Sequence, residues 1–306
     1  MTTPQLSTPY MNTTAMFTMN KTLEEVRQLN VKEALKTYRS LVIPIVAGIG
    51  FGKTRLMLQK LLHHDCSFYF SFGRINLVES FPTASTSWRS LFAHGCTFNQ
   101  GVYRIAQLFS SLMLINRDKM NFVSQSKSHH DNIYHLWQQL SVPDQCTTAH
   151  IRDVISTNFS VVEKSPIFLL DEVDTLVATK IEYNISLWEC LVICVRLIQQ
   201  YFSNKNLTFM CIVALTPKTL QLTDPNQRTP SVTSIDEDSD IPKRWINPIT
   251  HCWSDSNANV GEELNAHLVP MSVLVGCRPK WNQLYNRLDT FDSSEVSTQQ
   301  LLTAVD

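Results

Sequence analysis

The chain has 306 residues, 43% of them hydrophobic, and a formal net charge of −1. That length suits one large α/β domain with appendages, and the balanced charge gives no reason to expect nucleic acid or an anionic membrane as a partner. No apolar run of roughly 18 residues occurs, so no transmembrane helix is expected. The nearest stretch, 185–202, is interrupted by Glu189, Arg196, Gln199 and Gln200 and reads as a buried helix.

Residues 1–20 are rich in Thr, Pro and Asn, and they lack both a basic segment and a continuous apolar segment. They read as a disordered N-terminus without a secretory signal. Eight cysteines are scattered with no C-x-x-C pair, the pattern of reduced thiols in an intracellular protein of cytoplasm or nucleus. Thr22 and Glu25 make a capping box. The helix it opens, to about Tyr38, puts Leu23, Val26, Ala34, Leu35 and Tyr38 roughly on one side.

Leu41 to Val46 is a short apolar run, read as a strand. It breaks into Ala47, Gly48, Ile49, Gly50, Phe51, Gly52, Lys53, Thr54 and Arg55, where a helical pattern begins and runs to about His64. Strand, glycine-rich turn and helix start are the parts of a phosphate cradle. The glycines let backbone N–H groups turn inward, and the helix N-terminus faces the same anion with its positive dipole end. Lys53 reaches the β- and γ-phosphates and the Thr54 hydroxyl ligates Mg²⁺. The strict pattern is G-x-x-x-x-G-K-[ST]; here Ala47 holds its first position and the glycine is displaced to Gly48.

Cys66 to Phe72 reads as a second strand, 73–100 as mostly irregular, and Val102 to Asn116 as a helix with Val102, Ile105, Ala106, Phe109, Leu112 and Met113 on one face. Residues 117–131 are polar and read as a loop, its tandem His129 and His130 solvated. Asn132 to Leu140 and Thr148 to Asn158 read as helices. The sequence P-I-F-L-L-D-E-V-D at 166–174 is an unbroken apolar run, as in a parallel strand buried on both faces. It ends in Asp171 and Glu172, a carboxylate pair at the strand end where ligands bind in open α/β sheets. After the helix at 185–202 comes another buried strand, Leu207 to Thr216. A flexible acidic insertion follows at 223–242, then a late strand at 268–275, G-C-R-P-K-W at 276–281, and a polar tail at 291–306.

Placed on one sheet, these motifs describe a reaction. Asp171 accepts from a Mg²⁺-bound water or contacts the ion itself. Glu172 orients and deprotonates a water for in-line attack on the γ-phosphate. Thr216, at the tip of its strand, either hydrogen-bonds the γ-phosphate or the attacking water, or is an ordinary strand-end threonine. Arg278, and after it Arg244, are the candidates for an arginine that stabilises the transition state; a structural role is open for both. A guanine-reading N-K-x-D is absent, which points to ATP.

A-G-I-G-F-G-K-T at 47–54, F-L-L-D-E at 168–172 and the strand ending at Thr216 resemble the P-loop NTPases with an additional catalytic glutamate, the AAA+ and STAND-like ATPases. The resemblance implies an α/β three-layer sandwich with a mostly parallel central sheet over 21–290, the Thr216 strand lying between the first strand and the aspartate strand. It implies ATP and Mg²⁺ as cofactors, and a protein partner or self-association. More narrowly, G-I-G-F-G-K-T-R and the late G-C-R-P-K-W are similar to the P-loop domain of Crinkler-type and retrotransposon hot spot proteins, with Cys277 inserted in the G-R-P. That similarity implies the ATPase module of an effector or mobile-element protein. Three functions are therefore open: an ATPase that switches or remodels a partner, an ATP-gated interaction module with little or no hydrolysis, and a small-molecule kinase. The absence of clustered Arg and Lys between residues 54 and 171 counts against the last.

Overall fold

A computed structural model describes residues 13–47, 53–62, 66–73, 87–92, 96–115, 127–223, 246 and 248–249. Among these residues four short strands, β1 (Val42–Val46), β2 (Ser67–Ser71), β3 (Ile167–Asp171) and β4 (Met210–Leu215), form one sheet in the order β1-β4-β3-β2. Every pairing is parallel. The apolar runs dictate this: β1, β3 and β4 are buried at every position, so both of their faces need cover, as parallel sheets provide. The Thr216 strand does lie between the first strand and the aspartate strand.

Side chains alternate across the sheet into two apolar clusters. Phe70, Phe168, Leu170, Cys211 and Val213 enter one, with α4 (Phe98–Ile115), α5 (Lys127–Gln139), α6 (Thr148–Asn158) and α8 (Leu187–Ser203). Ile43, Ile45, Tyr69, Leu169 and Ile212 enter the other, with α1 (Thr13–Gln28), α2 (Val31–Thr37) and α3 (Lys53–Leu62). On the first face, Phe68 stacks on Phe168 at 4.8 Å and Phe168 on Phe209 at 5.1 Å, tying three neighbouring chain segments together. Two short helices, α7 (Asp174–Ala178) and α9 (Pro217–Leu222), leave the sheet directly after β3 and β4.

Pro44 sits inside β1, which a central strand would not tolerate. Its carbonyl accepts from Ile249 N at 2.8 Å, and Val46 N donates to Ile249 O at 2.8 Å. The missing N–H therefore faces away from β4, where only an isolated parallel bridge between Ile45 and Ile249 must be satisfied.

Several sequence expectations are corrected. Residues 13–20 are helical, not disordered, because Met19, Leu23 and Val26 continue one buried stripe at helical spacing. The single helix from Thr22 to Tyr38 is two helices. The Asn30 side chain accepts from Lys32 N and Glu33 N, so the chain restarts there as an N-cap. Residues 127–131 belong to α5 rather than a loop, and a 3₁₀ turn occupies Ser87–Phe92 within the stretch expected to be irregular. Thr223 is buried and closes α9. The rest of the 223–242 insertion, the 268–275 strand and the 291–306 tail lie outside the described residues.

The 185–202 stretch is α8, buried almost all round, and no described helix is long and apolar enough to cross a membrane. Its polar residues face the starts of the strands. Gln199 accepts from Leu41 N at 3.0 Å and donates to Phe209 O at 3.2 Å. Arg196 donates to the carbonyls of Leu35, Tyr38 and Arg39, capping the end of α2. Glu189 pairs with Arg39, both nearly buried.

α4 and α8 meet at Gly101. A Cβ there would lie 2.7 Å from Cys190 Sγ and 3.3 Å from the Ile181 side chain. Gly101→Val is expected to destabilise the fold by about 1–3 kcal/mol through overpacking, read by urea unfolding. A neutral effect would mean the helices separate freely at this point.

Candidate functional site

All four strands run parallel, so their C-terminal ends share one edge. Val46 is paired with Leu215 and Ser71 with Asp171, which puts the residues that follow each strand side by side.

Ala47 continues β1 by one residue: it is buried and donates its N–H to Leu215 O at 3.3 Å. α3 begins at Lys53, whose ammonium reaches back to donate to Ala47 O at 2.7 Å. The charge is thereby held at the C-terminal end of β1. Gly48, Ile49, Gly50, Phe51 and Gly52 lie outside the described residues, as do Arg244 and Arg278; Arg55 is placed in α3.

Thr54 and Asp171, 117 residues apart, meet here. The Thr54 hydroxyl donates to Asp171 Oδ2 at 2.5 Å. The same oxygen accepts from the Tyr69 hydroxyl at 3.0 Å, and Oδ1 accepts from Glu172 N at 2.9 Å. The carboxylate is 3% exposed, and these three donors supply the hydrogen bonds that a buried charge requires. Burial, and after it the Asp171 charge, pushes the Tyr69 hydroxyl well above the usual tyrosine range, so it stays protonated and donates. A hydroxyl and a carboxylate oxygen in contact are hard donors of the kind that Mg²⁺ takes, and Mg²⁺ commonly uses only one or two protein ligands.

Glu172 turns the chain out of β3 with φ 54°, a left-handed conformation that is strained for a residue with a side chain. Its carbonyl accepts from Thr175 N and from the Thr175 hydroxyl, which holds the turn into α7.

Thr216 has a defined structural task. It is the N-cap of α9, with its hydroxyl accepting from Thr219 N at 3.3 Å. That hydroxyl and the Thr216 N–H both reach Asp174 Oδ1, at 2.8 and 3.1 Å.

The structure therefore brings together Ala47, Lys53, Thr54, Asp171 and Glu172, and sets Thr216 at the tip of the neighbouring strand. Two participants went unsingled in the sequence, Tyr69 and Asp174. Tyr69 is one of three aromatics in S-F-Y-F-S, and nothing local marks the one whose hydroxyl faces an acid. Asp174 follows the D-E pair, and nothing local marks it as the partner of a threonine at the tip of the neighbouring strand. Among the described residues no three His, Cys, Asp or Glu side chains cluster as a metal site. Burial pushes the Cys96 and Cys146 thiols up to about 11, which makes them poor nucleophiles.

No protein-family model, curated protein or solved structure matches the chain.

Proposed function

We propose that the chain binds ATP with Mg²⁺ and hydrolyses it, as a P-loop NTPase domain of the three-layer, AAA+ or STAND-like type, and that the cycle acts on a protein partner or on its own assembly. The observation that carries this reading is the 2.5 Å contact of Thr54 with Asp171. It joins the end of the glycine-rich turn to the acid pair at the C-terminal edge of a parallel sheet. The strand order β1-β4-β3-β2 supports the same reading.

In this reading Lys53 supplies positive charge to the β- and γ-phosphates, and Thr54 and Asp171 hold Mg²⁺. The ion, when bound, neutralises charge on the phosphate oxygens. Glu172 takes a proton from the attacking water. Thr216 contributes only if its hydroxyl leaves Asp174. That tie favours a second reading, an ATP-gated interaction module with little or no hydrolysis.

Lys53→Ala tests the assignment. Lys53 lies outside both apolar clusters, so the fold should survive. Loss of charge-assisted hydrogen bonds should weaken ATP binding on the order of 10- to 100-fold, by titration calorimetry. Unchanged affinity in a folded variant would remove the phosphate-binding role of 47–54.

A further inference from the structure

We infer that Tyr69 is the positioning residue of the cation site, its hydroxyl fixing the Asp171 carboxylate beside Thr54. The inference rests on the nucleotide-binding reading above and concerns a residue which that reading does not need.

Tyr69 lies on β2 and Asp171 on β3. Tyr69 pairs with Leu169, so its hydroxyl reaches two residues along the neighbouring strand, on the same face of the sheet. The side chain is fully buried, with 0% exposure. Its ring lies in the apolar cluster with Leu169 and Ile212, on the face opposite Phe70, where phenylalanine would fill the same space without burying a hydroxyl. A buried phenol needs a partner, and here the partner is the carboxylate oxygen that also accepts from Thr54.

The other two donors to Asp171 lie outside the strands. Thr54 heads α3, directly after the phosphate turn, and its oxygen is wanted by the cation. Glu172 N belongs to a strained turn at φ 54°. Tyr69 alone is anchored in the sheet itself, so it holds the carboxylate in one orientation whether or not Thr54 is engaged. Such support of a ligand by a neighbouring donor commonly sets cation affinity.

The test uses the full chain and Tyr69→Phe. ATP binding is titrated calorimetrically in excess EDTA and again over a series of Mg²⁺ concentrations. The expected result is unchanged ATP affinity in EDTA, with the Mg²⁺ concentration for half-maximal enhancement raised roughly tenfold, the scale of a hydrogen bond to a charged group. The same Mg²⁺ dependence as wild type, or a tighter one, would overturn the inference. So would a variant that unfolds or loses binding in EDTA, since Tyr69 would then be structural. A wild-type chain that binds no ATP in either condition overturns the nucleotide reading itself, and is told apart by that control.

Discussion

Glu172→Gln should leave ATP binding intact and cut turnover by roughly 10²- to 10⁴-fold, the usual share of a general base. The substitution is chosen for what it preserves. Gln matches Glu in shape, tolerates the same left-handed turn as poorly or as well, and keeps the backbone N–H that donates to Asp171 Oδ1. Only the proton-accepting charge is lost. Phosphate release from the purified wild type and the variant, with Mg²⁺ and saturating ATP, reads the effect directly. A wild type that turns over at a rate the variant matches would take Glu172 out of the mechanism. A wild type that binds ATP and does not hydrolyse it would favour the gated module, in which Thr216 stays tied to Asp174.

Glu189→Ala should cost about 3–5 kcal/mol of folding stability. Arg39 and Glu189 pair with side-chain exposures of 5% and 10%, so removing the carboxylate strands a guanidinium in the interior. The pair connects the segment just before β1 to α8, and Arg196 caps α2 beside it. A domain's net stability is commonly about 5–15 kcal/mol, so the variant should show a large shift of its urea midpoint with little change in slope. Replacing both partners, as Arg39→Met with Glu189→Leu, should recover most of the loss, because the cost lies in the unpaired charge rather than the missing bond. A single-variant loss under about 1 kcal/mol would show that the pair is hydrated and contributes as surface pairs do.

Strands β1, β3 and β4 and the acid pair were legible because burial on both faces leaves a plain mark, an unbroken apolar run, and β2 because its small polar and aromatic residues alternate. Helix α6 was readable for the same kind of local reason, its Thr147 cap and periodic Ile151 and Ile155. The α1–α2 break was not, since Asn30 as a cap competes with Thr22 and Glu25, a capping signature that falls inside α1 and is overridden by the buried stripe through Met19, Leu23 and Val26. Tyr69 and Asp174 were hidden for a different reason. Their meaning lies in partners 102 and 42 residues away, and no local pattern encodes a distance across strands. The short helix α9 was missed because Pro217 at its first turn reads equally well as a loop.

The pairing of Val42 with Cys211 has a consequence for synthesis. The strand that precedes the glycine-rich turn is made well before β4, its strand partner among the described residues. At ordinary elongation rates the delay between the two is on the order of ten seconds. During that time β1 can pack on α1, α2 and α3 but has no strand to pair with among the described residues. A nascent chain halted before residue 210 would thus carry every residue of the glycine-rich turn and lack the strand that links β1 to β3. In the proposed nucleotide-binding reading, capture is therefore a late event of biogenesis, since β1 waits for β4 before it joins the sheet.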